Sequence, residues 1–155
     1  MHLSPILTQL ILEREYQGKA GAGVLFICTK TKRILLGKRS EKCSEPHTWA
    51  NFGGKIEAGE TPEEGAKREV KEEAGFTGKM ILIKAFTFKE GKKFTYTNYI
   101  GLVFDEFEPK LNDETDEARW MTYDELKALP DKHFGLKAMM RACGSLLRKH
   151  TKPKD

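Results

Sequence analysis

Three glutamates pose the first chemical question. Glu69, Glu72 and Glu73 lie in Gly53–Phe76, a stretch with seven Glu in twenty-four residues. At 100° per residue the three share one side of a helix. Like charges at that spacing repel and weaken a helix, and Lys67 and Lys71 offset them only in part. Such a face is either solvated or a seat for a hard divalent cation, since Mg²⁺ takes oxygen ligands and commonly bridges to substrate phosphates. The Gly53-Gly54 pair just upstream favours the second reading, because backbone without a Cβ admits a ligand closely. A metal there would neutralise a polyphosphate as the leaving oxygen gains charge and would supply bound water as nucleophile. No Gly-x-Ser-x-Gly elbow, P-loop or Cys-His motif suggests covalent chemistry.

The surrounding elements must position these side chains. Thr61-Pro62-Glu63-Glu64 is a capping box with Pro at the first helical position. It opens a helix whose Ala66, Val70 and Ala74 form a small-residue core face, with Gly75 at the C-terminal cap. Before it, "GAGVLFICT" and "RILLGKR" read as a hairpin around "TKTK", and "SEKCSEPHT" as a polar loop. "WANFGGKIE" reads as strand, tight glycine turn, strand. After it, "KMILIKAFTF" and "KFTYTNYIGLVFDEF" flank "KEGK" as a long antiparallel hairpin. Residues 108–117 form an acidic loop, "ARWMT" a short strand and "YDELKAL" a short helix ended by Pro130. A last amphipathic helix runs from Phe134 to about Arg148.

The chain has 155 residues and a formal net charge of +4. That length suits a single α/β domain with a mixed sheet, 1–155. Residues 1–18 are expected to form an amphipathic helical extension through Leu3, Ile6, Leu7 and Leu10, and 149–155 a frayed tail. The mild positive charge suits an anionic ligand and is too weak to argue nucleic-acid binding alone. Cys28, Cys43 and Cys143 are odd in number and lack a CxxC, so free thiols in a reducing compartment are expected. No signal peptide or long apolar run is evident, so a cytoplasmic protein without a membrane span is expected.

The glutamate region resembles the Nudix hydrolase signature: Gly, five residues, Glu, seven residues, Arg-Glu, an aliphatic, any residue, Glu-Glu, any residue, Gly, an apolar residue. Gly54, Glu60, Arg68, Glu69, Val70, Glu72, Glu73, Gly75 and Phe76 match every specified position. The resemblance implies a Nudix-type α/β/α sandwich. It implies hydrolysis of a phosphoanhydride bond in a nucleoside diphosphate linked to another group X, with Mg²⁺ or Mn²⁺. It would place metal on Glu69, Glu72, Glu73 and the Gly53 carbonyl, pair Glu60 with Arg68, and make Glu69 the residue that activates water.

The flanking residues look like the MutT-type oxidised-purine nucleoside triphosphatases, whose animal members share Trp49, Phe52, Gly53, Gly54 and Lys55. By the same resemblance Arg39, fourteen residues before Gly53, would contact substrate. Glu114, six residues before Trp120, would add a metal ligand, with Glu117 as rival. His133 stands where MutT proteins place an Asn that reads a purine edge, and Phe134 could stack on a base. Asn51 and Lys55 complete the expected nucleotide contacts. The reaction implied first is a (d)NTP or oxidised purine dNTP cleaved to NMP and pyrophosphate. Alternatives are a triphosphorylated RNA 5′ end, a nucleotide sugar, a dinucleoside polyphosphate, or a non-enzymatic nucleotide-binding module. Oligomeric state is not readable from these residues.

Overall fold

The computed structural model describes residues 20–90 and 94–153. The expected helix over 1–18, the turn at 91–93 and the last two residues lie outside this range. Among the described residues there are seven strands: β1 (Ala20–Cys28), β2 (Ile34–Arg39), β3 (Trp49–Ala50), β4 (Phe52–Lys55), β5 (Ile81–Glu90), β6 (Phe94–Val103) and β7 (Thr115–Met121). The helices are α1 (Pro62–Ala74), α2 (Tyr123–Ala128) and α3 (Phe134–Thr151).

The sheet is mixed. β1 runs parallel to β6 along its whole length, and the remaining pairings are antiparallel. The opposite edge of β1 changes partner: Phe26 and Ile27 pair with β2, whereas Gly21–Val24 pair with β4. β2 likewise pairs with β1 at Ile34 and Leu35 and with β3 at Gly37 and Lys38. β1 and β2 therefore fork, and β3–Asn51–β4 fills the fork with Asn51 at its apex.

Side-chain alternation along β1 builds a core on each face. Ala22, Val24, Phe26 and Cys28 pack with Ala66, Val70 and Ala74 of α1. Leu25 and Ile27 pack with Leu126 of α2 and Leu136, Met139, Cys143 and Leu147 of α3. The result is the expected α/β/α sandwich. Small side chains on α1 let the helix lie close to the sheet and carry its glutamates toward β4. The α1 caps form as expected: Thr61 and Glu64 make a reciprocal capping box, and Gly75 ends the helix at φ 65° with its N–H on Lys71 O.

Three boundaries differ from the sequence reading. Gly53 and Gly54 form no turn. They lie within β4, opposite Gly23 and Ala22 in register, and the break between strands falls at Asn51. Their missing Cβ atoms allow close packing rather than chain reversal. β7 begins at Thr115 instead of Ala118, because it pairs along β2 as far as Arg39; its exposed acidic residues concealed the strand. α3 continues to Thr151, past the expected end, because Thr151 is buried and its hydroxyl donates to Leu147 O at 2.8 Å.

Candidate active site

α1 delivers the signature carboxylates to unequal environments. Glu69 and Glu73 are nearly buried, at 13% and 7% exposure, whereas the Glu72 side chain is 55% exposed. The Glu69 carboxylate lies directly over Gly54, where an added Cβ would stand 2.6 Å from its Cδ. Glu73 accepts the Gly53 N–H at 3.3 Å and shares a hydrogen bond with Glu69. Each glycine thus seats one carboxylate against bare strand backbone.

Arg68 ties this helix to the loop before it. Its Nε and Nη2 donate to the two Glu60 oxygens at 2.8 and 3.1 Å, and Nη2 also donates to Lys55 O at 2.8 Å. Nη1 reaches Glu69 at 3.0 Å and Glu72 at 3.3 Å. Glu60 in turn accepts the Glu57 N–H at 2.8 Å. The fork-shaped guanidinium fixes planar partners in a way a lysine could not. It raises its own proton affinity through Glu60 and holds Glu60 below the ordinary carboxylate range. The expected Glu60–Arg68 pair is present, and it is the centre of a network.

Burial raises the proton affinity of both Glu69 and Glu73. Glu73 is pushed well above the usual carboxylate range, first by burial and then by the Glu69 and Glu114 charges. Arg68 opposes the effect at Glu69. A carboxyl with a raised folded pKa contributes stability that is complete below its ordinary value and lost as pH rises toward the folded one. Below about pH 6.5 buried neutral His133 adds the opposite slope, so in metal-free buffer the melting temperature is expected to fall from about pH 6.5 toward pH 9, and that of Glu73→Gln to fall less. Parallel slopes in thermal melts would remove Glu73 as the source.

The donor set suits a hard divalent cation: oxygen ligands only, crowded enough that burial and mutual repulsion favour a proton until a cation replaces it. Among the described residues no three His, Cys, Asp or Glu side chains converge closely enough to hold one ion as they stand. Glu72 leans on Arg68 and would have to turn inward.

A groove beside these carboxylates is lined by Glu69, Glu73, Glu114, Lys55, Arg39 and Asn51. Of the two acidic candidates in the loop and strand before Trp120, Glu114 borders it. Glu117 lies in β7 and pairs with Arg119 at 2.9 Å. Arg39, at the end of β2, donates from Nε and Nη2 to Ser44 O and Oγ at 2.7 and 3.0 Å. Trp49 is core, with the Arg119 guanidinium 5.2 Å from its ring centroid.

An aromatic pocket adjoins the groove and shares Arg39, Ala50, Asn51 and Gly53 with it. Phe86, Phe88, Phe94, Tyr96 and Asn98 of β5 and β6 line it, with His133 and Phe134 at the start of α3. The sequence reading did not single out the five hairpin residues. Their signal was the period-two alternation of Phe94, Tyr96 and Asn98, continued by Phe86 and Phe88, which pair with Asn98 and Tyr96 across the hairpin. On β1 the neighbouring partners of Tyr96 and Asn98 are Gly21 and Gly23, which add no side chains to that face. β3 sets the other wall: Trp49 N–H donates to Asp131 O and Trp49 O accepts the His133 N–H, at 2.8 and 2.9 Å.

His133 caps α3. Its Nδ1 accepts the Gly135 N–H at 3.1 Å, and Nε2 lies 3.1 Å from Glu45 Oε2. The ring is therefore neutral with its proton on Nε2, and burial, followed by the Arg39 charge, holds its pKa well below the ordinary value. Phe134 packs on it at 4.6 Å between centroids. His133 borders the pocket, and both of its nitrogens are engaged by the protein.

The NUDIX domain family matches residues 18–143. The chain belongs to the Nudix family. Two Mycobacterium tuberculosis relatives provisionally named 8-oxo-dGTP diphosphatase 3 are 29% identical over 125 residues, covering 74% of this chain and 58% of theirs. The chain thus spans well under two thirds of their length. The nucleoside triphosphatase NudI of Enterobacter is 30% identical over 108 residues, covering 62% of this chain and 77% of that protein. The mouse oxidized purine nucleoside triphosphate hydrolase is 42% identical over 53 residues, about a third of each chain. Among solved structures, the Nudix hydrolase RenU of M. smegmatis superposes with a TM-score of 0.72 at 25% identity, covering 88% of this chain and 89% of that one. Nudix proteins generally use divalent metals, which agrees with the donor chemistry found here. No described helix is long and apolar enough to cross a membrane.

Proposed function

We propose that this Nudix protein hydrolyses a nucleoside triphosphate, a (d)NTP or an oxidised purine dNTP, to the monophosphate and pyrophosphate in the presence of Mg²⁺ or Mn²⁺. The observation that carries the reading is the adjacency of two unlike cavities with common lining residues. A carboxylate groove suited to a cation and phosphates shares Arg39, Ala50, Asn51 and Gly53 with an aromatic pocket of about 60 Å³, which Phe134 and the hairpin aromatics would have to part to admit a base. Glu69, Glu72, Glu73, Glu114 and the Gly53 carbonyl would hold the metal. When bound, the metal would offset charge on the phosphates and lower the pKa of coordinated water. Arg68 and Glu60 fix the helix that presents these carboxylates. Arg39 and Lys55 border the groove as cations for the phosphate chain. Glu69, buried and pressed on Gly54, is the candidate to accept the proton of the attacking water. Phe134 and the hairpin aromatics would sandwich the base.

The relatives named for 8-oxo-dGTP, oxidised purines and nucleoside triphosphates support this substrate class. Arg148, Lys149 and Lys152 gather with Lys32 of the β1–β2 turn. That turn follows Cys28, about 20 Å along β1 from Ala22, the partner of Gly54.

The test is a screen with Mg²⁺ and product identification. Cleavage of dNTPs or 8-oxo-dGTP to NMP and pyrophosphate is expected. If neither is cleaved while a nucleotide sugar, a dinucleoside polyphosphate or a triphosphorylated oligonucleotide is, the substrate class is wrong. Tight nucleotide binding with no turnover of any of these would support a binding module instead.

A further inference from the structure

The aromatic pocket must recognise its occupant through few polar groups. His133, the residue expected to read a base edge, is occupied at both nitrogens, by Gly135 and Glu45. It can offer only its ring face. Arg39 is drawn along Ser44, and the Tyr96 hydroxyl lies against the backbone of Gly23 and Gly53.

Asn98 differs from these. It sits mid-strand in β6 and is 5% exposed. Its Oδ1 accepts the Asn51 amide N–H at 3.2 Å. Among the described residues no group accepts from its amide nitrogen. Yet no buried side-chain nitrogen or oxygen of the described residues lacks a partner. The Asn98 nitrogen is therefore accessible, and the cavity that Asn98 borders is the aromatic pocket. In this arrangement Asn51 donates to Oδ1, and the nitrogen of Asn98 faces away from it.

We infer that Asn98 is the specificity-determining residue of the aromatic pocket, donating a hydrogen bond to a carbonyl on the base and so selecting 6-oxopurines over 6-aminopurines. This deepens the proposed nucleotide reading and rests on it. An exocyclic amino group would set donor against donor, whereas a 6-oxo group accepts. A polar group left unpaired by the wrong ligand is what makes a hydrogen-bonding site discriminate more sharply than an apolar one.

The test compares hypoxanthine with adenine, which differ at the 6-position and at the adjoining N1 proton. Binding of dIMP and dAMP is titrated without turnover, and kcat/KM is measured for dITP and dATP with Mg²⁺. The wild-type protein is expected to favour the 6-oxo member by at least about tenfold in each. Asn98→Leu and Asn98→Ser, checked by thermal melts, should bring the ratio within about threefold, with the change in KM rather than kcat. His133→Ala should weaken both ligands and keep the ratio. Equal affinity of the wild-type protein for dIMP and dAMP overturns the assignment. So does a ratio that survives in folded Asn98 variants or disappears in His133→Ala. If no triphosphate is turned over, the proposed reaction fails by itself, and the monophosphate titrations still decide the role of Asn98.

Discussion

Glu72→Gln is expected to lower nucleoside triphosphate turnover by at least about a hundredfold without changing thermal stability. The two halves of this prediction rest on different observations. The Glu72 side chain is 55% exposed, and its described partner is Arg68 at 3.3 Å. An exposed ion pair of that kind contributes little to folding. Arg68 retains Glu60, Lys55 O and Glu69 when Glu72 is neutralised. The helix and its network should therefore survive intact. Chemistry is another matter, because a Gln offers no charge to a divalent cation and weakens whatever stabilisation the metal gives the departing phosphate. Glu69→Gln should also be inactive, but Glu69 is buried against Gly54 and bonded to Arg68, so its loss mixes folding with function. The measurement is kcat at saturating Mg²⁺ with a parallel thermal melt. Turnover within about threefold of wild type would remove Glu72 from the reaction and favour the reading of α1 as a solvated face.

Local rules made α1 legible. The capping box, Pro62, the Ala66–Val70–Ala74 spacing and Gly75 are short-range devices, and each appears where the residues specify it. The two-sided core was legible in outline because apolar β1 must be covered on both faces. The fork between β1 and β2 was not. Edge-switching depends on which strand fills which half of β1, and no local pattern in "GAGVLFICT" records it. That is why Gly53 and Gly54, which look like a turn in sequence, lie in a strand. The signature glutamates were found readily as a group. Their division into buried Glu69 and Glu73 and exposed Glu72 depended on the tertiary contact between α1 and β4. The aromatic pocket was hidden for a related reason: Phe86, Phe88 and Tyr96 read as ordinary strand residues until β1 places glycines beside them. His133 borders the pocket, but its Glu45 partner lies eighty-eight residues earlier, in a loop with left-handed backbone at Glu45 and His47.

The adjacent glycines Gly53 and Gly54 should fail in opposite ways when given a methyl group. An ideal Cβ on Gly53 would stand 2.5 Å from Ala22 O and 2.6 Å from Gly23 Cα, and would also strike the Tyr96 hydroxyl. Two of those neighbours are β1 backbone, held by β4 on one side and β6 on the other. Neither can yield without parting strands, so Gly53→Ala is expected to lower the melting temperature by roughly 5–10 °C, the scale of overpacking in a chain of this size. The three atoms nearest the same Cβ on Gly54 all belong to the Glu69 carboxylate, 2.6 Å for Cδ and 2.7 and 2.8 Å for its oxygens. That carboxylate is the end of a side chain rather than backbone, so it can shift at the cost of its contacts with Arg68 and Glu73 without parting strands. Gly54→Ala should then keep its melting temperature within about 2 °C while turnover drops roughly tenfold to a hundredfold and the Mg²⁺ requirement rises, because a displacement near 1 Å is enough to cost that much. Glu69→Asp in the Gly54→Ala background, with its shorter side chain, should recover part of the Mg²⁺ affinity. A Gly54→Ala protein with wild-type turnover would mean that the position of Glu69 is not what the bare strand protects. Equal destabilisation by the two substitutions would mean that the pair serves sheet packing alone.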